Sequence, residues 1–328
     1  MIKLETTYMG LNLKNPIIAG SSGLTNSVEN IIELERQGVG AVVLKSLFEE
    51  QIAYNIDKTI NQEELNKAYP EANDYISNYT LANDIEKYLQ LIKQAKEKVK
   101  IPIIASINCF STGSWTSFAK KIENAGADAL ELNIFVLPSD PKKTSKDNES
   151  IYLEIIQQIQ KEISIPLSVK LSYYFSALSN TLLKMSWTGI NGLVLFNRFF
   201  SPDIDINKLE IKATNVFSSK AELSNSLRWV AMLSDRVECD IAASTGIHDG
   251  SAIIKQLLAG AKVVQIASTL YKNGFKQIPK MIEFIENWMK EHKFENIEDF
   301  RGKMSIKEAK NPAAYERVQF MKHFSGIE

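Results

Sequence analysis

The chain reads as an α/β protein of the (β/α)8 class, a TIM barrel, on three observations. Eight short runs rich in Val, Ile, Leu and Ala are near-continuously apolar, the pattern of parallel strands buried on both faces. Amphipathic stretches separate these runs, and a regular alternation of strand and helix argues for a parallel sheet closed on itself. The length of 328 residues suits one such barrel, and we expect residues 1–328 to form a single domain.

The elements follow in order. Leu4–Asn15 alternates around Gly10 and predicts a hairpin ahead of the first strand, placed to plug the bottom of the barrel. The expected barrel strands are Ile17–Gly20, Ala41–Ser46, Ile103–Ile107, Ala129–Ile134, Leu167–Leu171, Gly192–Phe196, Asp240–Ala243 and Lys262–Ala267. Asn26 or Ser27 can cap a helix whose apolar positions are Val28, Ile31, Ile32 and Leu34, and Gly38 can end it. Asp249, Gly250 and Ser251 open a helix through Ile253, Ile254, Leu257 and Leu258 that stops near Gly260. Ile278, Met281, Ile282, Ile285 and Met289 line one face of a late helix. Three connections after strands are long: Leu47–Asn83, Phe135–Ser150 and Arg198–Ser224. In a barrel, loops after strands build the active-site face, so these are expected to form lids or substrate walls. The charged tail from Phe300 to Glu328 is expected to pack outside the barrel.

Composition narrows the function. Hydrophobic residues make up 45% and charged residues 23%, enough for a substantial core, and a formal charge of −1 gives no general attraction to nucleic acid. No apolar run is long enough to span a bilayer and the N-terminus lacks a signal-peptide pattern, so we expect no membrane partner. Two cysteines, Cys109 and Cys239, form no disulfide framework, which makes a reducing cytoplasm the default. His248, His292 and His323 are too scattered to suggest a metal site, and no metal is expected.

The strand ends carry the candidate chemistry. In order they read Ala19-Gly20-Ser21-Ser22-Gly23, Lys45-Ser46, Asn108, Asn133, Lys170, Asn197, Thr245-Gly246 and Ala267-Ser268. Singly, each has an ordinary reading: a snorkelling lysine, a turn asparagine, a tight-turn glycine. Together they converge on one rim. Lys45 and Lys170 would face the same mouth, and buried like charges call for an anion. A flavin suits that demand, because its reduced ring carries negative charge. The small residues of Thr245-Gly246 and Ala267-Ser268 would let backbone N–H groups approach a phosphate at a helix N-terminus.

These segments resemble the dihydroorotate dehydrogenase family. Asn15-Pro16-Ile17-Ile18-Ala19-Gly20 with Gly23, and Val43-Leu44-Lys45-Ser46, are similar to the family's opening. Glu131-Leu132-Asn133 looks like the start of its catalytic segment, and Val169-Lys170-Leu171-Ser172-Tyr173-Tyr174-Phe175 like its flavin-lysine strand. Ser244-Thr245-Gly246-Ile247 and the run from Gly260 to Leu270 resemble its two FMN-phosphate turns. The resemblance covers about Leu4 to Phe275 with the order kept. It implies FMN as cofactor, contacted by Ala19, Gly20, Lys45, Ser46, Asn133 and Lys170, with Thr245, Gly246, Ala267 and Ser268 on the phosphate. It implies Asn197 as a substrate contact, a small-molecule substrate, the oxidation of dihydroorotate to orotate in pyrimidine biosynthesis, and, by likeness to the soluble branch, a homodimer.

The sequence departs from the family at the reacting end. Where the family has Asn-x-Ser-Cys-Pro-Asn or its serine version, this chain has Asn133-Ile134-Phe135-Val136-Leu137-Pro138, so Val136 stands at the base position. The family's Asn-x-x-Gly-Leu loop is not readable between Glu71 and Asn83, and Ser218-Ser219 stands where it has paired glycines. Oxidising dihydroorotate gives a hydride to the flavin and a proton to a base. Valine accepts no proton, and losing such a group costs about 10²–10⁴ in rate. Cys109, Ser139 and Tyr174 are the substitutes in reach, although a small buried cysteine, a turn serine and a pocket-wall tyrosine are the ordinary readings of all three. The alternatives are a related flavoprotein with a different substrate, a flavin-binding barrel without catalysis, and a flavin-free aldolase with Lys170 as Schiff-base lysine.

Overall fold

The computed structural model describes residues 2–48, 70–109, 115–198 and 201–317. A short antiparallel hairpin, β1 (Thr6–Tyr8) and β2 (Leu11–Leu13), comes first. Then β3 (Ile17–Ala19), α1 (Val28–Arg36), β4 (Ala41–Val43), the two-residue β5 (Leu47–Phe48), α2 (Pro70–Lys98), β6 (Ile103–Cys109) and α3 (Trp115–Asn124) follow. They lead into β7 (Ala129–Ile134), α4 (Ser145–Glu162), β8 (Leu167–Leu171), α5 (Leu178–Ser186) and β9 (Gly192–Leu195). A second hairpin, β10 (Ser201–Asp205) and β11 (Glu210–Thr214), precedes α6 (Leu223–Leu233), β12 (Asp240–Ser244), α7 (Gly250–Ala259) and β13 (Val263–Ile266). α8 (Ser268–Asn273), α9 (Gln277–Glu291) and the short α10 (Ala313–Glu316) complete the order.

The strands β3, β4, β6, β7, β8, β9, β12 and β13 pair in parallel, and contacts of β4 with β6 and of β13 with β3 close them into a (β/α)8 barrel. Ser27 and Asp249 accept backbone N–H bonds as the caps of α1 and α7, and Gly260 ends α7 in the left-handed region at φ +112°. In α1 the helical period turns Ile31 and Leu34 to the core but leaves Ile32 41% exposed, a correction to its expected role.

Alternation along each strand splits its side chains between two cores. Ile103, Ala105 and Ile107 of β6 pack outward under the helices, while Ile104 points inward. The inner core is small: Ile18, Ala41, Val43, Ile104, Ala129, Val194, Ala242 and Val263 meet Tyr8, Met9 and Leu13 of the first hairpin. That hairpin is the expected bottom plug. Gly10 turns it at φ +76°, the Met9 N–H donates to Asp240 Oδ2 at 2.8 Å, and Tyr8 is fully buried. Gly192 makes room for it, since a Cβ there would lie 2.9 Å from the Tyr8 hydroxyl.

Higher in the barrel the inward positions change character. Ser106, Asn108, Glu131, Asn133, Ser168, Lys170, Ser244 and Gln265 are all buried and polar. Register aligns them in rows: Ser106, Glu131 and Ser168 on neighbouring strands, and above them Asn108, Asn133 and Lys170. Burying polar groups is costly unless they are paired, so this layer marks the end of the barrel where stability alone does not set the residues.

The three long connections follow strands, and each holds secondary structure that the apolar pattern does not announce. In the first, α2 already begins at Pro70, so the stretch from Glu71 to Asn83 is helical, while residues 49–69 lie outside the described residues. In the second, Thr144 and Asp147 form a capping box that starts α4 at Ser145 and shortens the loop to 135–144. In the third, β10 and β11 form the second hairpin. The described part of the tail straps the outside of the barrel, and residues 318–328 lie outside the described residues: Phe300 is fully buried, and the N–H groups of Gly302, Met304 and Ile306 donate to the carbonyls of Leu257, Leu258 and Ala231 at 3.0, 2.8 and 2.8 Å.

Candidate functional site

A cavity of about 620 Å³ opens at the C-terminal ends of the strands. Lys170, Asn197, Thr245, Gly246, Ala267 and Ser268 line it, residues from four separate strand ends. Ala19, Gly20, Lys45, Ser46 and Asn133 are not in its lining. Most of them stand directly behind it. The Gly20 N–H donates to the Ile266 carbonyl at 2.9 Å, which joins the ends of β3 and β13. Ser46 Oγ bonds Ser21 Oγ at 3.1 Å and Ser106 Oγ at 2.7 Å, and Ser21 lines the cavity. Asn133 Oδ1 accepts from Asn197 Nδ2 at 2.6 Å, and Asn197 Oδ1 accepts the Arg198 N–H at 3.0 Å, so the amide of Asn197 is held on both sides.

Lys170 has partners that strand-end reading does not single out. Its ammonium donates to Gln265 Oε1 at 2.9 Å and stands 3.8 Å from Glu131 Oε1, while Gln265 Nε2 donates to Glu131 Oε2 at 2.5 Å. The buried cation therefore has a protein counter-ion in Glu131. Glu131 lies two residues before Asn133 and Gln265 two before Ala267. The strand period of two, applied one step below each strand end, would have found both.

The other end of the cavity is built from backbone. Thr245 and Gly246 have φ of +74° and +79°, and a Cβ on Gly246 would lie 2.2 Å from the Leu223 nitrogen. Only glycine lets the start of α6 come this close. Beside it, Ser218 is fixed on three sides: its N–H donates to Ser268 Oγ at 3.0 Å, Lys272 Nζ donates to its carbonyl at 2.8 Å, and its hydroxyl pairs with His248 Nε2 at 3.1 Å. Burial, followed by the charge of Lys272, holds His248 below the ordinary imidazole range. Left-handed turn residues and a helix start together form a corner that can receive an anionic group, with Lys272 behind it on the Ser218 carbonyl.

A second cavity of about 200 Å³ adjoins the first through Asn197, Arg198, Ser244 and Thr245, and Tyr173, Tyr174 and Phe196 form its aromatic wall. Arg198 bonds Glu222 Oε1 at 2.9 Å and the Val216 carbonyl at 2.8 Å, tying the second hairpin to the start of α6.

The reacting-end candidates disperse. Val136 is half-buried against the outer core, its N–H bonded to the Tyr152 hydroxyl at 3.1 Å, and it lines neither cavity. Ser139 is exposed, Tyr174 walls the second cavity, and the side chain of Cys109 lies outside the described residues. Burial pushes the Cys239 thiol up to about 12, and Cys239 precedes β12 at the bottom of the barrel. Among the described residues, no group of three or more His, Cys, Asp or Glu could hold a metal ion, and no helix is long and apolar enough to cross a membrane.

Fold and cavity together define a (β/α)8-barrel protein with a cavity at the C-terminal mouth of the barrel. A family model described as dihydroorotate dehydrogenase matches residues 3–289, and the chain belongs to that family. It is 25% identical over 316 residues to the dihydroorotate dehydrogenase B (NAD(+)) catalytic subunit of Thermoplasma acidophilum, covering 92% of this chain and 99% of the relative. The protein of the same name from Thermoplasma volcanium is 27% identical over 316 residues, covering 92% and 98%. A dihydroorotate dehydrogenase A (fumarate) of Lactococcus lactis is 25% identical over 323 residues, covering 92% and 99%.

Proposed function

We propose that this chain is an FMN-dependent oxidoreductase that carries the flavin in the larger cavity. The observation behind this reading is the cavity's two-ended chemistry: a buried ammonium at one end and the glycine-dependent corner at the other. The corner fits a phosphate, with Thr245, Gly246, Ala267 and Ser268 offering backbone N–H groups and the Ser268 hydroxyl. Ala19, Gly20, Lys45, Ser46, Asn133 and Lys170 would hold the ring, and Asn197, fixed by Asn133, would orient the substrate. When bound, FMN supplies a hydride acceptor at its N5. Lys170, propped by Gln265, would stabilise negative charge on the ring, and the Arg198–Glu222 pair would hold the loop that shields it from water. The reading includes a homodimer.

Oxidation of dihydroorotate to orotate is the reaction this reading first assigns. Val136 favours a second reading, a related substrate that needs no base at that position. One experiment separates them: the absorption spectrum of the purified protein before and after anaerobic dihydroorotate. Yellow protein that bleaches within minutes supports dihydroorotate. Yellow protein that bleaches only with dithionite leaves the flavin and removes this substrate. A colourless protein with no FMN in its denatured extract ends the flavin reading and revives the Schiff-base role of Lys170.

A further inference from the structure

A buried carboxylate stands behind the larger cavity without reaching it. Glu131 of β7 is 1% exposed and shares a row with Ser106 and Ser168, one row below Lys170. Lys170 and Gln265 line the cavity, and Glu131 does not. Its Oε2 accepts from Gln265 Nε2 at 2.5 Å, across the barrel, since β13 and β7 lie on opposite sides of the ring of strands. A carboxylate only accepts hydrogen bonds. Gln265 therefore turns its NH2 group to Glu131, and its carbonyl oxygen is left for the Lys170 ammonium at 2.9 Å. The orientation of Gln265, and through it the position of the ammonium, follows from a residue that touches nothing in the cavity.

The same carboxylate balances charge. Among the described residues, Lys170 is its ion-pair partner, with Nζ 3.8 Å from Oε1. Below it, burial first and the charge of Glu131 next raise the Tyr8 hydroxyl well above its ordinary value, so the plug adds no second charge there. A cation with a carboxylate close behind it projects a weaker field than a cation alone, and a low-dielectric interior makes the difference large. We infer that Glu131 sets the reduction potential of the flavin in the larger cavity, holding it below the value Lys170 alone would give. The inference rests on the flavin reading. A reduced flavin ring carries negative charge, which Lys170 favours and Glu131 opposes. Glu131 is thus a positioning residue, and its effect is to let the ring give up the electrons it has taken.

The test is the potential of the bound flavin. FMN-loaded protein is reduced anaerobically against a reference dye of known potential, as wild type, Glu131→Gln and Glu131→Asp. Glutamine keeps the shape and removes the charge, and aspartate keeps the charge. Glu131→Gln is expected to shift the equilibrium toward reduced flavin by about tenfold or more, which for a two-electron couple is about 30 mV toward positive values. Glu131→Asp is expected to stay within about threefold of the wild type, because the charge remains. A potential that Glu131→Gln leaves unchanged or moves to negative values overturns the inference. So does an equal shift in Glu131→Asp, since shape rather than charge would then be the cause. If Glu131→Gln does not fold, Glu131→Met is read by the same criteria. Wild-type protein that binds no FMN removes the flavin reading, and the inference with it. FMN that binds with a potential insensitive to Glu131 overturns the inference alone.

Discussion

Gly246 shows how much of the site rests on single atoms. Its φ of +79° and the 2.2 Å approach to Leu223 both exclude a side chain. Gly10 has a similar φ of +76° but open space around it. Gly10→Ala should therefore cost about 1 kcal/mol from backbone conformation alone. Gly246→Ala should cost at least roughly 2–3 kcal/mol, because strain and steric clash add. Thermal melting of the two variants checks this, and equal losses would mean that the α6 approach yields readily. Residues at strand ends were legible in the sequence because a barrel brings all such ends to one rim. Their partners were not. Nothing in the linear chain says that Glu131 and Gln265, 134 positions apart, share a hydrogen bond.

At the scale of elements, Glu123 joins α3 to the segment leading into β8. Its Oε1 accepts from the Ser164 N–H at 2.8 Å and the Ile165 N–H at 3.2 Å, and Lys120 bonds its other oxygen at 2.5 Å. The Lys120 bond first, and the Ser164 hydroxyl next, lower its pKa from 4.5 to about 2. A carboxylate depressed on folding stabilises the folded chain above its ordinary value and loses that contribution as pH falls from 4.5 toward about 2. Glu123→Gln should therefore lower the melting temperature at pH 6 and flatten its decline between these values. Melting curves across that range test it, and parallel profiles would argue against the role. The helices α1 and α7 were legible because their caps and stop signals are local. The start of α4 hides in the capping box of Thr144 and Asp147, which no apolar run follows closely enough to expose.

The whole molecule has an apolar bottom and a polar top, and the second hairpin projects from that top. Ile204, Ile206, Leu209 and Ile211 are 64–85% exposed there, and Ile204 pairs with Ile211 across the strands. An apolar patch of this kind is unusual on a chain that stays alone. If the proposed homodimer uses this face, sedimentation should show a dimer for the wild type and a monomer for a variant carrying Ile204→Lys and Ile211→Glu; an unchanged mass would direct the search to another surface. The sequence by itself determined the barrel, its bottom plug and the rim on which the candidate residues meet. Those features follow from local periodicity and from the closure of eight parallel strands. Only the tertiary structure decided which rim residues face the cavity, that Lys170 already has a counter-ion, and that Val136 packs away from the cavity. These are relations between strands, fixed by register and barrel closure, and a single strand's sequence carries no record of its neighbour's side chains.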